Sequence, residues 1–281
     1  MNRRALVISG TVAAAAFVVL YWHVLLKLVG DWSRDENYSH GFLIVPLAMY
    51  FAWERRKTLA SAAPAPSLAG LFVLAGSLAL LVAGTLGAEL FVSRISMLGT
   101  VAGIVLFAFG KEHLRILGFP IAFLFLMIPL PAIVFNQIAF PLQLLASRFG
   151  EMALQVLRIP VLREGNVIIM ANTRLEVAEA CSGIRSLISL LTLGITLGYF
   201  TDSRWLMRTM IAMATIPVAI FANGLRVAGT GIAAHYVGAA AATGFLHTFS
   251  GWLMFVLASL LLFAIQRGGA WVFPPTSETL G

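Results

Sequence analysis

Cys181 is the single cysteine of the chain, in the stretch EACSGIRSL, and Arg185 follows it by four residues. If a helix begins there, the thiol meets the positive end of the macrodipole and the guanidinium lies one turn on, on the same face. Both favour thiolate, the nucleophilic form of cysteine. Arg226, in FANGLRVAGT, stands at the end of an apolar run, and its planar fork can hold a carboxylate or a developing oxyanion. His247, in GFLHTFSGW, opens the last apolar run, and an imidazole exchanges protons near neutral pH. Each also has an ordinary reading: a buried structural cysteine, an arginine that snorkels to water, a polar residue capping a helix. As a set they are a nucleophile, a charge stabiliser and a proton carrier, which suits acyl transfer from a peptide bond.

Other chemistries find less support. One cysteine cannot form an internal disulfide or a cysteine-rich metal site. His23, His113 and His235 lack ligand spacing and no HExxH occurs, so neither a metal nor another cofactor is expected. There is no GxSxG and no P-loop. The net charge of +7 comes from basic residues placed singly or in short groups between apolar runs, such as Arg55-Arg56-Lys57. That is the arrangement of membrane topology signals, and with no basic stripe carrying interleaved aromatics no nucleic-acid partner is expected.

The elements that would carry these groups are membrane helices. The chain has 281 residues, of which 60% are hydrophobic and 11% charged, and its apolar runs recur from end to end. This predicts an all-α integral membrane protein of about eight transmembrane helices. The expected spans lie near 5–29, 41–53, 68–88, 90–110, 117–135, 184–200, 207–227 and 247–267. The N-terminal run lacks a clear small-x-small cleavage site and reads as a retained first span. Residues 1–268 form one membrane domain in this reading, and 269–281 a short cytoplasmic tail. Pro129 and Pro131 should end or kink the fifth span, and Pro217 should kink the seventh.

Between 136 and 180 the pattern changes. IAFPLQLLASRFGEMALQVLRI reads as an interfacial amphipathic helix. A short β-hairpin before Cys181 follows, with strands at 167–170 and 174–178 and Asn172 at the turn. With Arg3-Arg4 inside, alternating spans put the dense basic groups on the cytoplasmic side and both termini with them. The opposite face then receives DWSRDENYSH, the Glu89 loop, 136–182, and the ends near Arg226 and His247. Cys181, Arg226 and His247 thus share the outer face.

Five stretches carry a resemblance: NYSHGFLIVPL, IPLPAIVFNQIAFPLQLLAS, VAEACSGIRSL, NGLRVAGTGIAAHY and GFLHTFSGWLMF. They occur in the expected order between Asp31 and Gln266, and by them the chain resembles the exosortase/archaeosortase family of membrane-embedded, cysteine transpeptidase-like enzymes. The resemblance implies a bacterial inner-membrane enzyme with a periplasmic active site. It implies partners: the bilayer, exported proteins bearing a C-terminal sorting tail, and an unknown acceptor nucleophile. Such a tail has a Pro-Glu-Pro-type motif, a transmembrane helix and a basic end, and the system usually accompanies exopolysaccharide production. The family's cysteine, arginine and histidine fall on Cys181, Arg226 and His247. Arg185 matches the arginine of the cysteine motif, and with Glu179, Asn223 and His40 it forms the supporting set. Glu179 either tunes the site or is the polar end of a strand. His40 either lines a substrate cleft or marks where the chain re-enters the bilayer. The alternative is a permease, or a scaffold of a polysaccharide-export complex, with Arg226 and His247 lining a passage. Transport needs ionisable groups at mid-depth, whereas these stand at span ends.

Overall fold

The computed structural model describes residues 3–171, 173–177, 183–202, 204–238 and 245–272, with 3–7, 245–248, 270 and 272 given as backbone alone. The chain divides into two compact units, Met1–Pro131 and Ala132–Gly281.

The first unit is helical. It contains α1 (Arg3–Arg34), α2 (Gly41–Glu54), α3 (Arg56–Ser61), α4 (Ala69–Leu86), α5 (Leu90–Phe109), α6 (Lys111–Phe123) and a 3-10 helix at Leu124–Met127. Small residues let α4 and α5 lie backbone to backbone: a β-carbon on Gly70 would stand 2.2 Å from the Phe107 amide nitrogen. Between lipid-facing helices, van der Waals packing at small residues replaces the hydrophobic drive that water supplies elsewhere. Between α1 and α5 the contacts are polar. Tyr21 shares its hydroxyl with Ser96 Oγ at 3.1 Å and Thr100 Oγ1 at 2.7 Å. Arg94, 2% exposed, pairs with Asp31.

The second unit contains α7 (Ala132–Val156), the strands β1 (Val161–Glu164), β2 (Val167–Met170) and β3 (Arg174–Glu176), then α8 (Ile184–Thr201), α9 (Trp205–Val237) and α10 (Phe245–Val272). The strands form one antiparallel sheet in the order β1-β2-β3, with Glu164 opposite Val167 and Ile168 opposite Leu175. One sheet face packs on α7 and α9 through a core of Leu154, Ile168, Leu175, Val177 and Val227. The two helices interlock at glycines. A β-carbon on Gly224 would meet Phe149 at 2.6 Å, and one on Gly150 would meet Val227 at 2.8 Å. At the turn from α8 to α9, Asp202 pairs with Arg204 at 2.7 Å while Arg208 Nε donates to the Asp202 carbonyl.

Among the described residues six helices are long and apolar enough to cross a membrane, and Lys111–Met127 with Ala132–Val156 make a seventh if counted as one broken span. Val19 and Phe72 on two of these spans expose 76% and 78% of their surface, as residues facing hydrocarbon do. The second expected span, 41–53, corresponds to α2. Its 14 residues extend about 21 Å, short of the roughly 30 Å hydrocarbon core.

Several boundaries differ from those read in the sequence. The sheet has a third strand, β1, which continues directly from the turn after α7. Its pattern VLRE alternates too briefly to separate from the preceding helix. Asn172 and Ala178, expected at the hairpin turn and strand end, lie outside the described residues. The helix α9 runs through Pro217 and ends ten residues past Val227, so Arg226 stands inside a helix and not at its end. The segment GTGIAAHYV continues it because Gly231 receives Leu154, a tertiary contact that outweighs two glycines' poor helix propensity. The proline pair Pro129 and Pro131 does interrupt the helix, between Met127 and Ala132.

Candidate active site

Cys181 and Glu179 lie outside the described residues, and description resumes at Gly183. Gly183 precedes α8 with φ +81°, a left-handed conformation that glycine adopts without a β-carbon penalty. Position and conformation are set together. A β-carbon here would lie 2.7 Å from Asn223 Cγ and 2.9 Å from its Nδ2. The segment that follows Cys181 by two residues is therefore pressed against Asn223 of α9, which is 5% exposed. Asn223 and Gly183 also line a small cleft with Leu142, Ala146, Leu187 and Ala219. Arg185 follows on the first turn of α8, half-buried.

Arg226 stands three residues after Asn223, so the two share a face of α9. Its guanidinium reaches α10. A β-carbon built on Gly251 would stand 3.2 Å from Arg226 Nη2 and 3.3 Å from Cζ. Gly251 is four residues after His247 on the same helix, one turn along the same face. The His247 side chain lies outside the described residues. One face of α9 thus links the start of α8, through Asn223, to the first turns of α10, through Arg226.

The sheet closes a third side. A small cleft is lined by Leu175, Glu176 and Val177 at β3 and by Arg226, Val227 and Thr230 on α9. The sheet is tethered to α7 by Arg163, whose Nε donates to Glu151 Oε2 at 2.8 Å. Ser147 Oγ donates to the Gly165 carbonyl at 3.1 Å, and Arg163 Nη1 donates to the same oxygen at 2.8 Å.

His40 belongs to the first unit. It precedes α2 and sits beside the proline break. Three side chains from 32–40 grip that break. Trp32 Nε1 donates to the Met127 carbonyl at 2.9 Å, His40 Nε2 approaches the Leu126 carbonyl at 3.2 Å, and Tyr38 accepts from the Leu130 amide at 3.3 Å. Backbone groups released by a broken helix need such partners, since lipid supplies none. Burial holds the His40 pKa below its ordinary value, against the opposing pull of its backbone hydrogen bonds. Its observed contacts are those of a clasp on the break.

Sequence reasoning missed Gly251, Gly183, the Glu151–Arg163 tether and the Trp32–Tyr38 grip. No periodic signal marks an ion pair twelve residues apart. A glycine in an apolar helix reads as packing until its neighbour is known. Among the described residues no group of three or more His, Asp or Glu could hold a metal ion.

Residues 32–264 match the family model described as transmembrane exosortase. No curated protein and no solved structure matches the chain.

Proposed function

The chain belongs to the transmembrane exosortase family, a family of membrane-embedded sorting enzymes, and from that premise we propose that it is a cysteine protease or transpeptidase. It cuts the C-terminal sorting tail of exported proteins at the periplasmic face of a bacterial inner membrane, with both termini in the cytoplasm. The tail carries a Pro-Glu-Pro-type motif and a transmembrane helix, and the work serves exopolysaccharide and biofilm production.

The observation that carries this reading is the double contact of α9: Asn223 against Gly183 and Arg226 against Gly251. Two residues of chain span at most about 7 Å, so bond lengths alone keep Cys181 near Gly183. One turn of helix separates Gly251 from His247. In this reading a thiol, a guanidinium and an imidazole meet beside the Asn223–Arg226 turn of α9.

In the proposed reaction the Cys181 thiolate attacks the scissile carbonyl carbon. The carbonyl π pair moves to oxygen, where Arg226 stabilises the oxyanion, a contribution of about 3 kcal/mol for donors of this kind. Collapse breaks the C–N bond, and His247 as imidazolium gives its proton to the departing amine. An acyl-thioester remains on Cys181. Neutral His247 then takes a proton from water or an acceptor amine, which attacks the thioester and expels thiolate. Water gives hydrolysis and an amine gives transfer. Arg185 and Glu179 tune the site, and Asn223 holds the cysteine segment on α9.

The test is processing of a tail-bearing substrate in membranes by the wild type and by Cys181→Ala. The variant should insert and fold normally yet leave the tail uncut, and the wild-type thiol should alkylate from the outer side at neutral pH. Normal trimming by the alanine variant refutes the nucleophile. Alkylation no faster than that of a structural cysteine refutes its activation.

A further inference from the structure

The three-stranded sheet ends on β3, and the two sides of that strand are not alike. The Val177 amide donates to the Asn166 carbonyl at 2.9 Å, and the Thr173 carbonyl accepts from Met170 at 2.9 Å. Backbone groups alternate sides along a strand, so residues 173, 175 and 177 face β2 while Arg174 and Glu176 face outward. Nothing follows β3 in the sheet order, and the outward N–H and C=O groups of Arg174 and Glu176 find no hydrogen-bond partner among the described residues. Their side chains are exposed, whereas Leu175 and Val177 are buried and anchor the strand in the core. Among the described residues the strand is backed on one side and open on the other. The opposite edge, β1, differs: Arg163 there is tied to α7.

An open strand edge is a template for another strand, and proteins that do not use one usually cover it, bulge it or shorten it. Here it adjoins the cleft that contains Arg226 and leads in sequence to the Cys181 segment. We infer that the outer edge of β3 is the substrate-docking strand: an extended peptide, lying just before the membrane helix of the protein to be cut, pairs with Arg174 and Glu176 through its main chain. This deepens the protease reading above and rests on it. Main-chain pairing supplies affinity without demanding particular side chains at every position, and it presents the peptide extended. At about 3.3 Å per residue, the four residues from Val177 to Cys181 cover at most about 13 Å, so the bond to be cut lies within a few residues of the paired segment. Two outward residues on β3 mean that two peptide residues pair, with one between them whose backbone points away.

That count makes the test. The probe is a synthetic peptide with a Pro-Glu-Pro motif, about twenty apolar residues to span a bilayer, and a basic end, presented to the full chain in liposomes. Single N-methyl groups are moved along the residues around the motif, and cleavage and binding are both read. Methylation at two positions separated by one residue should each reduce kcat/KM about fivefold, one lost backbone hydrogen bond apiece, while methylation of the residue between them should not. If a proline of the motif holds that intervening position, it is tolerated for the same reason. On the enzyme, Glu176→Pro removes only an outward-facing N–H, a change that strand edges tolerate. It should weaken peptide binding about fivefold relative to Glu176→Ala, which loses the same side chain but keeps the N–H.

Binding is also measured on Cys181→Ala protein, which separates docking from chemistry. Peptide that binds this variant uncut, with the alternating methyl pattern, supports the edge. An absence of alternation on wild-type enzyme overturns it, and that result needs no variant to fold. Equal binding by Glu176→Pro and Glu176→Ala overturns it as well. Trimming by Cys181→Ala would instead overturn the protease reading, while the methyl pattern still reports on the edge.

Discussion

Gly183→Ala should be one of the most damaging methyl additions in the second unit, and its cost can be built from two sources. The first is conformational. At φ +81° an alanine β-carbon crowds the following carbonyl oxygen, at about 1–2 kcal/mol. The second is steric. The added carbon would stand 2.7 Å from Asn223 Cγ, and Asn223 is 5% exposed with little room to withdraw. Overpacking of this kind costs about 1–3 kcal/mol. The sum is about 2–5 kcal/mol. The assay is reversible unfolding of detergent-solubilised protein by denaturant, with Gly268→Ala as control, because no atom lies within 4 Å of a β-carbon at Gly268. Asn223→Ala combined with Gly183→Ala removes Cγ and Nδ2 but keeps Cβ at 2.9 Å, so it should recover part of the steric share and leave the conformational share in place. A Gly183→Ala protein within 0.5 kcal/mol (about the noise of a neutral surface change) of the control would refute the packing argument. So would a double variant no more stable than Gly183→Ala alone.

Three other expectations follow from particular contacts. Arg226→Lys keeps the charge but loses the planar fork, so kcat for tail cleavage should fall about 100-fold with the protein still folded; cleavage at the wild-type rate would remove Arg226 from the reaction. His40 has its pKa lowered by burial, so the unfolded chain binds the proton more readily than the folded one. The stability this clasp contributes is therefore complete above the ordinary value near 6.5 and declines as pH falls from there through the folded pKa, and His40→Gln should abolish that dependence in unfolding measured against pH. Glu151 and Arg163 have side chains 22% and 23% exposed, so a double-mutant cycle with Gln and Met should give a coupling of about 1 kcal/mol, read by unfolding and by amide exchange in β1 and β2.

What the chain determined alone was its solvent. Long apolar runs punctuated by small basic groups specify helices in a bilayer, because only structures that satisfy their own backbone can cross one. The proline break between Met127 and Ala132 was legible for the same local reason, since proline lacks a donor. So was a hairpin after the amphipathic helix, and so were the residue types able to act together on a peptide bond. The five motif stretches added their family resemblance. Proximity was not legible. That Asn223 meets Gly183 and Arg226 meets Gly251 depends on how α8, α9 and α10 lie against one another. Those contacts are set by glycines whose partners stand 25 or 40 residues away in sequence. The extent of α9 beyond Arg226 was decided the same way, by Leu154 seating on Gly231. Periodicity reports which face of a helix is apolar, but which helix fills that face is chosen by shape, and shape exists only once the helices have packed.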